Sequence, residues 1–153
     1  VALIAGSIEA QTHLGVSASN FVTLEIVLPG DDDCDLGVFV RNLPDGSNSG
    51  DFHVPPNQVL VVTDFDWQYE ATDGAGTNVV LRLLVQNLAT DESYRAAEST
   101  IVLSDAFQGG AIESMTTGFV VASGARICPD VAASGASNGF LQHVIVRGYL
   151  TRR

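Results

Sequence analysis

Two aspartates, Asp64 and Asp66, lie two residues apart in a stretch with the two-residue period of a β-strand. In a strand, such residues project from one face about 7 Å apart. Two carboxylates at this separation fit the acid/base pair of a glycoside-acting enzyme. They fit equally well an ion pair with Arg82, which we place at an outward position on the neighbouring strand. We favour the ion pair, and we assign no catalytic residue.

A second acidic group follows the break at Pro29-Gly30. It consists of Asp31, Asp32, Asp33 and Asp35. Carboxylate oxygens suit Ca²⁺, but the spaced Asp/Asn-Gly-Glu pattern of an EF-hand is missing, and four such close carboxylates repel one another. We interpret the segment as a solvated surface loop. The alternative is a calcium site, completed by Asp45 or Asp51; no other cofactor is indicated.

Aromatic side chains are the usual contacts of a carbohydrate-binding module, because their faces pack on sugar rings. Trp67 and Tyr69 fall on the face of their strand that we assign to the core, whereas Tyr94 and Tyr149 do not. The candidate ligand-binding residues are therefore Tyr94 and Tyr149, with Asp64 and Asp66 as polar contacts. Carbohydrate is the best small ligand that the sequence suggests.

Cys34 and Cys128 are the only cysteines, and they lie far apart without the Cys-x-x-Cys spacing of a metal site. We predict a Cys34–Cys128 disulfide; two buried free thiols are the alternative. A disulfide would indicate an oxidising compartment. The sequence starts at Val1, which either removal of a signal peptide or trimming of the chain explains. We therefore expect a secreted or cell-surface protein.

The strand that positions the two aspartates starts after Val54-Pro55-Pro56, since proline cannot donate to a β ladder. Two faces alternate from there to Tyr69. We predict that one face, with Val59, Val61, Thr63, Phe65, Trp67 and Tyr69, packs in the core. The other face would carry Leu60, Val62, Asp64, Asp66 and Gln68.

The rest of the chain is a series of short alternating segments separated by Gly- and Pro-rich turns. We predict strands near residues 1–10, 21–28, 36–42, 78–86, 98–104, 114–122, 126–128 and 140–151, with 78–86 forming a hairpin with the central strand. No helix of three turns, internal repeat or linker is evident. The pattern predicts one domain over residues 1–153: an all-β, two-sheet antiparallel sandwich of the jelly-roll type, with about eight to ten strands.

The net charge of the chain limits the kinds of partner that it can bind. With 18 acidic residues against seven arginines, the net charge is −11, which argues against nucleic acid and anionic membranes. No apolar run is long enough for membrane insertion.

Several predicted strands are apolar on both faces, which indicates a homo-oligomer. We predict an interface at Leu60, Val62, Val80, Leu84 and Ile145, and we favour a trimer by analogy with other jelly-roll heads. The expected function is non-enzymatic, through assembly or surface binding. The alternatives are a carbohydrate-binding module and a glycoside-acting enzyme.

Overall fold

The computed structural model describes residues 17–27, 37–136 and 138–153. The predicted strand at residues 1–10 lies outside them. A short 3₁₀ helix, Ala18–Asn20, precedes the strands. The strands are β1 Phe21–Ile26, β2 Phe39–Asn42, β3 Asn48–Asp51, β4 Gln58–Glu70, β5 Asn78–Asn87, β6 Glu92–Val102, β7 Gln108–Val121, β8 Ala125–Ala133 and β9 Phe140–Arg152.

Two antiparallel sheets pack face to face, which confirms the predicted sandwich. The larger sheet has the order β3-β2-β1-β9-β4-β7, and the smaller has the order β6-β5-β8. From β4 onward the chain passes to the smaller sheet for β5 and β6, returns to the larger sheet for β7, crosses to the smaller sheet for β8, and returns to the larger sheet for β9. Strand β7 therefore lies beside β4, which is the Greek-key return found in jelly rolls.

The core lies between the two sheets and is filled by alternate residues of each strand. Strand β1 shows the pattern, because Val22, Leu24 and Ile26 are buried between less buried neighbours. On β4, Phe65 and Trp67 are each 1% exposed. Burial of large apolar side chains is the main stabilising term of such a fold.

A β-bulge at Thr63 overturns part of the predicted face assignment on β4. Val62 pairs with Gly148 and Asp64 with Arg147, so Thr63 is an extra residue relative to β9. The extra residue exchanges the faces. Leu60 and Val62 consequently lie in the core, at 1% and 0% exposure, and the prediction that they form an interface is wrong.

Two glycines make this bulge sterically feasible. A Cβ on Gly148 would lie 2.1 Å from the carbonyl oxygen of Val61, and a Cβ on Gly118 would lie 2.2 Å from that of Val62. Gly118 also has a φ of +66°, which residues with side chains rarely adopt. Strand β7 is irregular at the same place, because Phe119 pairs with Val62 and Ser114 with Asp64.

The predicted hairpin between β4 and β5 is also wrong. Strand β5 pairs with β6 and β8 in the opposite sheet, where its alternate residues Val79, Leu81 and Leu83 are fully buried. The connection over residues 71–77 thus crosses between sheets. The predicted strand at residues 126–128 is too short, because β8 continues through Pro129 to Ala133, with Pro129 opposite Leu83 of β5.

A short polar chain joins the two sheets, from buried Trp67 to half-buried Glu113. The indole Nε1–H of Trp67 donates to Ser99 Oγ at 2.9 Å, and Ser99 Oγ donates to Glu113 Oε1 at 2.7 Å. The three residues belong to β4, β6 and β7 respectively. Because a buried donor without a partner is costly, this arrangement fixes where the indole can sit.

Candidate binding surfaces

Asp64 and Asp66 meet Arg147 and His143 on the outer face of the larger sheet. Arg147 donates from Nη1 to Asp64 Oδ1 at 2.9 Å and from Nη2 to Asp66 Oδ2 at 2.5 Å. His143 Nε2 lies 3.0 Å from Asp66 Oδ1, and Thr63 Oγ1 donates to Asp64 Oδ2 at 3.0 Å. All four carboxylate oxygens therefore have a protein partner.

This arrangement is a structural ion-pair cluster. A general acid or base must reach a substrate proton, yet one guanidinium holds both carboxylates. The hydrogen bond to Asp64, followed by that to Asp66, raises the pKa of Arg147 above its ordinary value, so the guanidinium stays charged. The predicted pairing with Arg82 is wrong: Arg82 is in the other sheet, where it contacts Asp130 at 3.1 Å and Glu98 at 3.6 Å.

An apolar row crosses the same outer face beside the cluster. The register places Phe21 opposite Tyr149, Tyr149 opposite Val61, and Val61 opposite Val120. These four residues belong to four adjacent strands, β1, β9, β4 and β7. With strands about 4.8 Å apart, the row is about 14 Å long.

A second, mixed row lies beyond the ion-pair cluster. Asp66 is flanked by Ile145 on β9 and by Ile112 on β7. Ile112 is 76% exposed and Val120 is 53% exposed. We call the apolar outward residues of the two rows the outer apolar face: Phe21, Val61, Ile112, Val120, Ile145 and Tyr149.

The sequence-predicted interface residues are thus divided among three places. Leu60 and Val62 are in the core. Ile145 lies on the outer apolar face, whereas Val80 and Leu84 are half-buried on the outer side of the smaller sheet. Phe21, Ile112 and Val120 also lie on this face but are not among the predicted interface residues. Gly118 and Gly148 within strand patterns are the sequence signal for the bulge that directs this face outward.

A recess lies at the end of the sandwich where the β5–β6 turn faces the β7–β8 connection. Its volume is about 580 Å³. The lining residues are Val85, Asn87, Glu92, Ser93, Tyr94, Ala122, Ser123 and Ala125. Tyr94 is 57% exposed, and its hydroxyl donates to the carbonyl oxygen of Val120 at 3.4 Å. Tyr94 thus belongs to β6 of the smaller sheet and lines this recess, whereas Asp64, Asp66 and Tyr149 share the outer face of the larger sheet.

The predicted calcium ligands Asp31, Asp32, Asp33 and Asp35 lie outside the described residues. Of the two residues proposed to complete their site, Asp45 accepts hydrogen bonds from Ser47, and Asp51 lies 3.2 Å from His53 Nε2. Over residues 17–27, 37–136 and 138–153, no group of three or more His, Cys, Asp or Glu side chains could hold a metal ion.

Cys128 is fully buried on β8, with its Sγ 3.9 Å from Gln86 Oε1. The described part of the chain contains no free cysteine. Cys34 lies outside that part, and the Cys34–Cys128 disulfide stays a prediction.

Comparison with models of protein families and with curated protein sequences finds no match. Among the residues described, no helix is long and apolar enough to cross a membrane.

Proposed function

We propose that this domain acts by self-association through the outer apolar face, as a non-enzymatic extracellular module. The observation that supports the proposal most directly is the apolar row of Phe21, Val61, Val120 and Tyr149 across four strands. Contiguous apolar surface of this kind is uncommon on monomers and is typical of interaction sites.

The size of the face fits a subunit contact. Strands β4 and β9 each have 13 residues, which corresponds to about 43 Å, and four strands are about 19 Å wide. The resulting area of at most about 800 Å² equals the surface that each partner buries in an interface of standard size, about 800 Å².

Charge on the face is compatible with this role. Arg147 neutralises part of the charge on Asp64 and Asp66 in each subunit, so these carboxylates would enter an interface already paired. An unpaired buried carboxylate would oppose association strongly. We favour a trimer, by analogy with other jelly-roll heads, and a secreted or cell-surface location, supported by the two lone cysteines.

Light scattering coupled to size exclusion tests the proposal. The wild-type chain should elute as a multiple of 16.1 kDa, three-fold for a trimer, at tens of micromolar concentration. Val120→Asp and Ile112→Asp should each shift the mass towards 16.1 kDa. Val102→Asp is the matched control, because Val102 is 60% exposed but lies on β6 of the smaller sheet.

Two results would reject the proposal. One is a wild-type species of 16.1 kDa throughout the concentration range. The other is dissociation by Val102→Asp together with no effect of Val120→Asp or Ile112→Asp, which would place the contact on the opposite sheet. Circular dichroism spectra of all three variants should match the wild type, since the substituted side chains are more than half exposed.

A further inference from the structure

We propose that the recess between the β5–β6 turn and the β7–β8 connection binds one ring of a neutral sugar. This site adjoins the outer apolar face, because the Tyr94 hydroxyl donates to the carbonyl oxygen of Val120, but the proposal does not depend on self-association. Its volume of about 580 Å³ lies within the range of small-ligand pockets, about 300–1,000 Å³. It therefore has room for a single pyranose ring with its nearest substituents.

The lining combines one aromatic face with several short polar groups. Tyr94 is 57% exposed, although its hydroxyl is anchored to Val120 O. Much of its ring is therefore accessible to a ligand. A pyranose has a C–H-rich face that packs on such a ring and a rim of hydroxyls that need hydrogen-bond partners.

Glu92, Asn87 and Ser93 supply those partners. Asn87 uses Oδ1 to accept the Ala89 N–H at 2.9 Å, and Glu92 uses Oε2 to accept from Thr90 at 3.2 Å. The Asn87 amide nitrogen and the second Glu92 oxygen have no hydrogen-bond partner within the described part of the chain. They provide a donor and an acceptor for sugar hydroxyls.

The polar wall of the recess is preorganised. Asp91 N donates to the Asn87 carbonyl oxygen at 2.8 Å, and Gln86 Nε2 donates to Asp91 Oδ1 at 2.6 Å. Gln86 Oε1 in turn accepts from Arg126 Nε at 2.7 Å. On the opposite side, Ser123 Oγ donates to Pro55 O at 3.1 Å. A rigid site loses little entropy when it binds a ligand.

Charge selects the class of sugar. Glu92 is the only charged residue among the described residues that line the recess, and the whole chain carries −11. An acidic sugar or a sugar phosphate would therefore meet like charge without a cation to pair with. The recess favours neutral hexoses and N-acetylhexosamines.

Saturation-transfer NMR with the full 153-residue chain tests this inference. The probes are the methyl glycosides of glucose, galactose and mannose, N-acetylglucosamine, and glucuronate as the acidic counterpart. At least one neutral probe should bind with a dissociation constant on the order of 1 mM, as expected for a ligand of so few atoms. Glucuronate should bind at least about tenfold more weakly.

Variants place the binding in the recess. Tyr94→Ala should weaken it about tenfold or more, whereas Tyr94→Phe, which keeps the ring, should stay within about threefold. Glu92→Gln should reduce the difference in dissociation constant between the neutral probes and glucuronate. Leu88→Ala is the control, because Leu88 is 42% exposed on the same turn but outside the recess.

No saturation transfer from any neutral probe would overturn the inference. So would equal binding of glucuronate, or unchanged binding in Tyr94→Ala. If Tyr94→Ala fails to fold, Glu92→Gln decides, and an unchanged ratio of the dissociation constants for glucuronate and the neutral probes would overturn the inference. Light scattering of each variant reports its mass, so that a loss of sugar binding can be distinguished from a loss of self-association.

Discussion

Replacing Ser99 with alanine should destabilise the fold without touching either proposed binding surface. Ser99 is 4% exposed and Trp67 is 1% exposed. The change removes the acceptor of the indole N–H and the donor to Glu113. A buried donor left without a partner costs about 1–3 kcal/mol. Loss of the hydrogen bond to half-buried Glu113 costs less, because water can replace the Ser99 hydroxyl there. We therefore expect the free energy of unfolding to fall by about 2–3 kcal/mol in total.

Urea denaturation followed by circular dichroism measures this free energy of unfolding. All variants must be compared at one protein concentration, because self-association would couple stability to concentration. Ser93→Ala on the same strand is the control, since Ser93 is exposed, and it should change stability by less than about 0.5 kcal/mol. In a Trp67→Phe background, which has no N–H donor, Ser99→Ala should cost less by about 1 kcal/mol or more. A Ser99→Ala effect below about 0.5 kcal/mol, or no coupling to Trp67, would refute the reasoning.

Three further predictions concern single groups. Arg147→Met should lower stability by about 1–2 kcal/mol in urea denaturation, because two neighbouring carboxylates lose their shared cation, whereas Arg152→Met at the exposed end of β9 should have almost no effect. Hydrogen bonds from the Ser47 hydroxyl and then from its N–H lower the pKa of Asp45 below its ordinary value of 3.8. The ionised carboxylate therefore contributes to stability above pH 3.8, and this contribution is lost as the pH falls through the lowered pKa. Carboxyl NMR should show a higher pKa for Asp45 in Ser47→Ala, and a wild-type pKa at or above 3.8 would contradict the prediction. Thiol titration of the unfolded, unreduced chain should detect no reactive cysteine if Cys34 and Cys128 are paired, and two would end that prediction.

The fold class could be predicted from the sequence because the alternation of apolar residues and the Gly- and Pro-rich turns are local features. Val22, Leu24 and Ile26 alternate as a half-buried strand must, and Phe65 and Trp67 entered the core as expected. Topology could not be predicted in the same way. The residues 78–86 are apolar enough to pair with β4 or to cross to the other sheet, and only the packing of the whole sandwich decides between the two.

The candidate sites depended even more on long-range geometry. Asp64 and Asp66 were correctly expected to share an outer face, because their spacing is local. Their partner was not predictable from spacing, since Arg147 lies more than 80 residues away and meets them only because β9 pairs with β4. The recess around Tyr94 is likewise assembled from residues 85–94 and 122–125, which no local pattern joins.

The bulge at Thr63 is where fold and proposed function meet. Without the extra residue, uninterrupted alternation of side chains along β4 would place Leu60, Val62 and Asp64 on the same face of the strand. The bulge instead directs Leu60 and Val62 into the core and Val61 outward, next to Tyr149 and Val120. It also sets Asp64 opposite Arg147, while Thr63 Oγ1 donates to Asp64 Oδ2. One inserted residue, accommodated by Gly118 and Gly148, thereby gives β4 a continuous apolar face inside and places an apolar row beside a paired ion cluster outside.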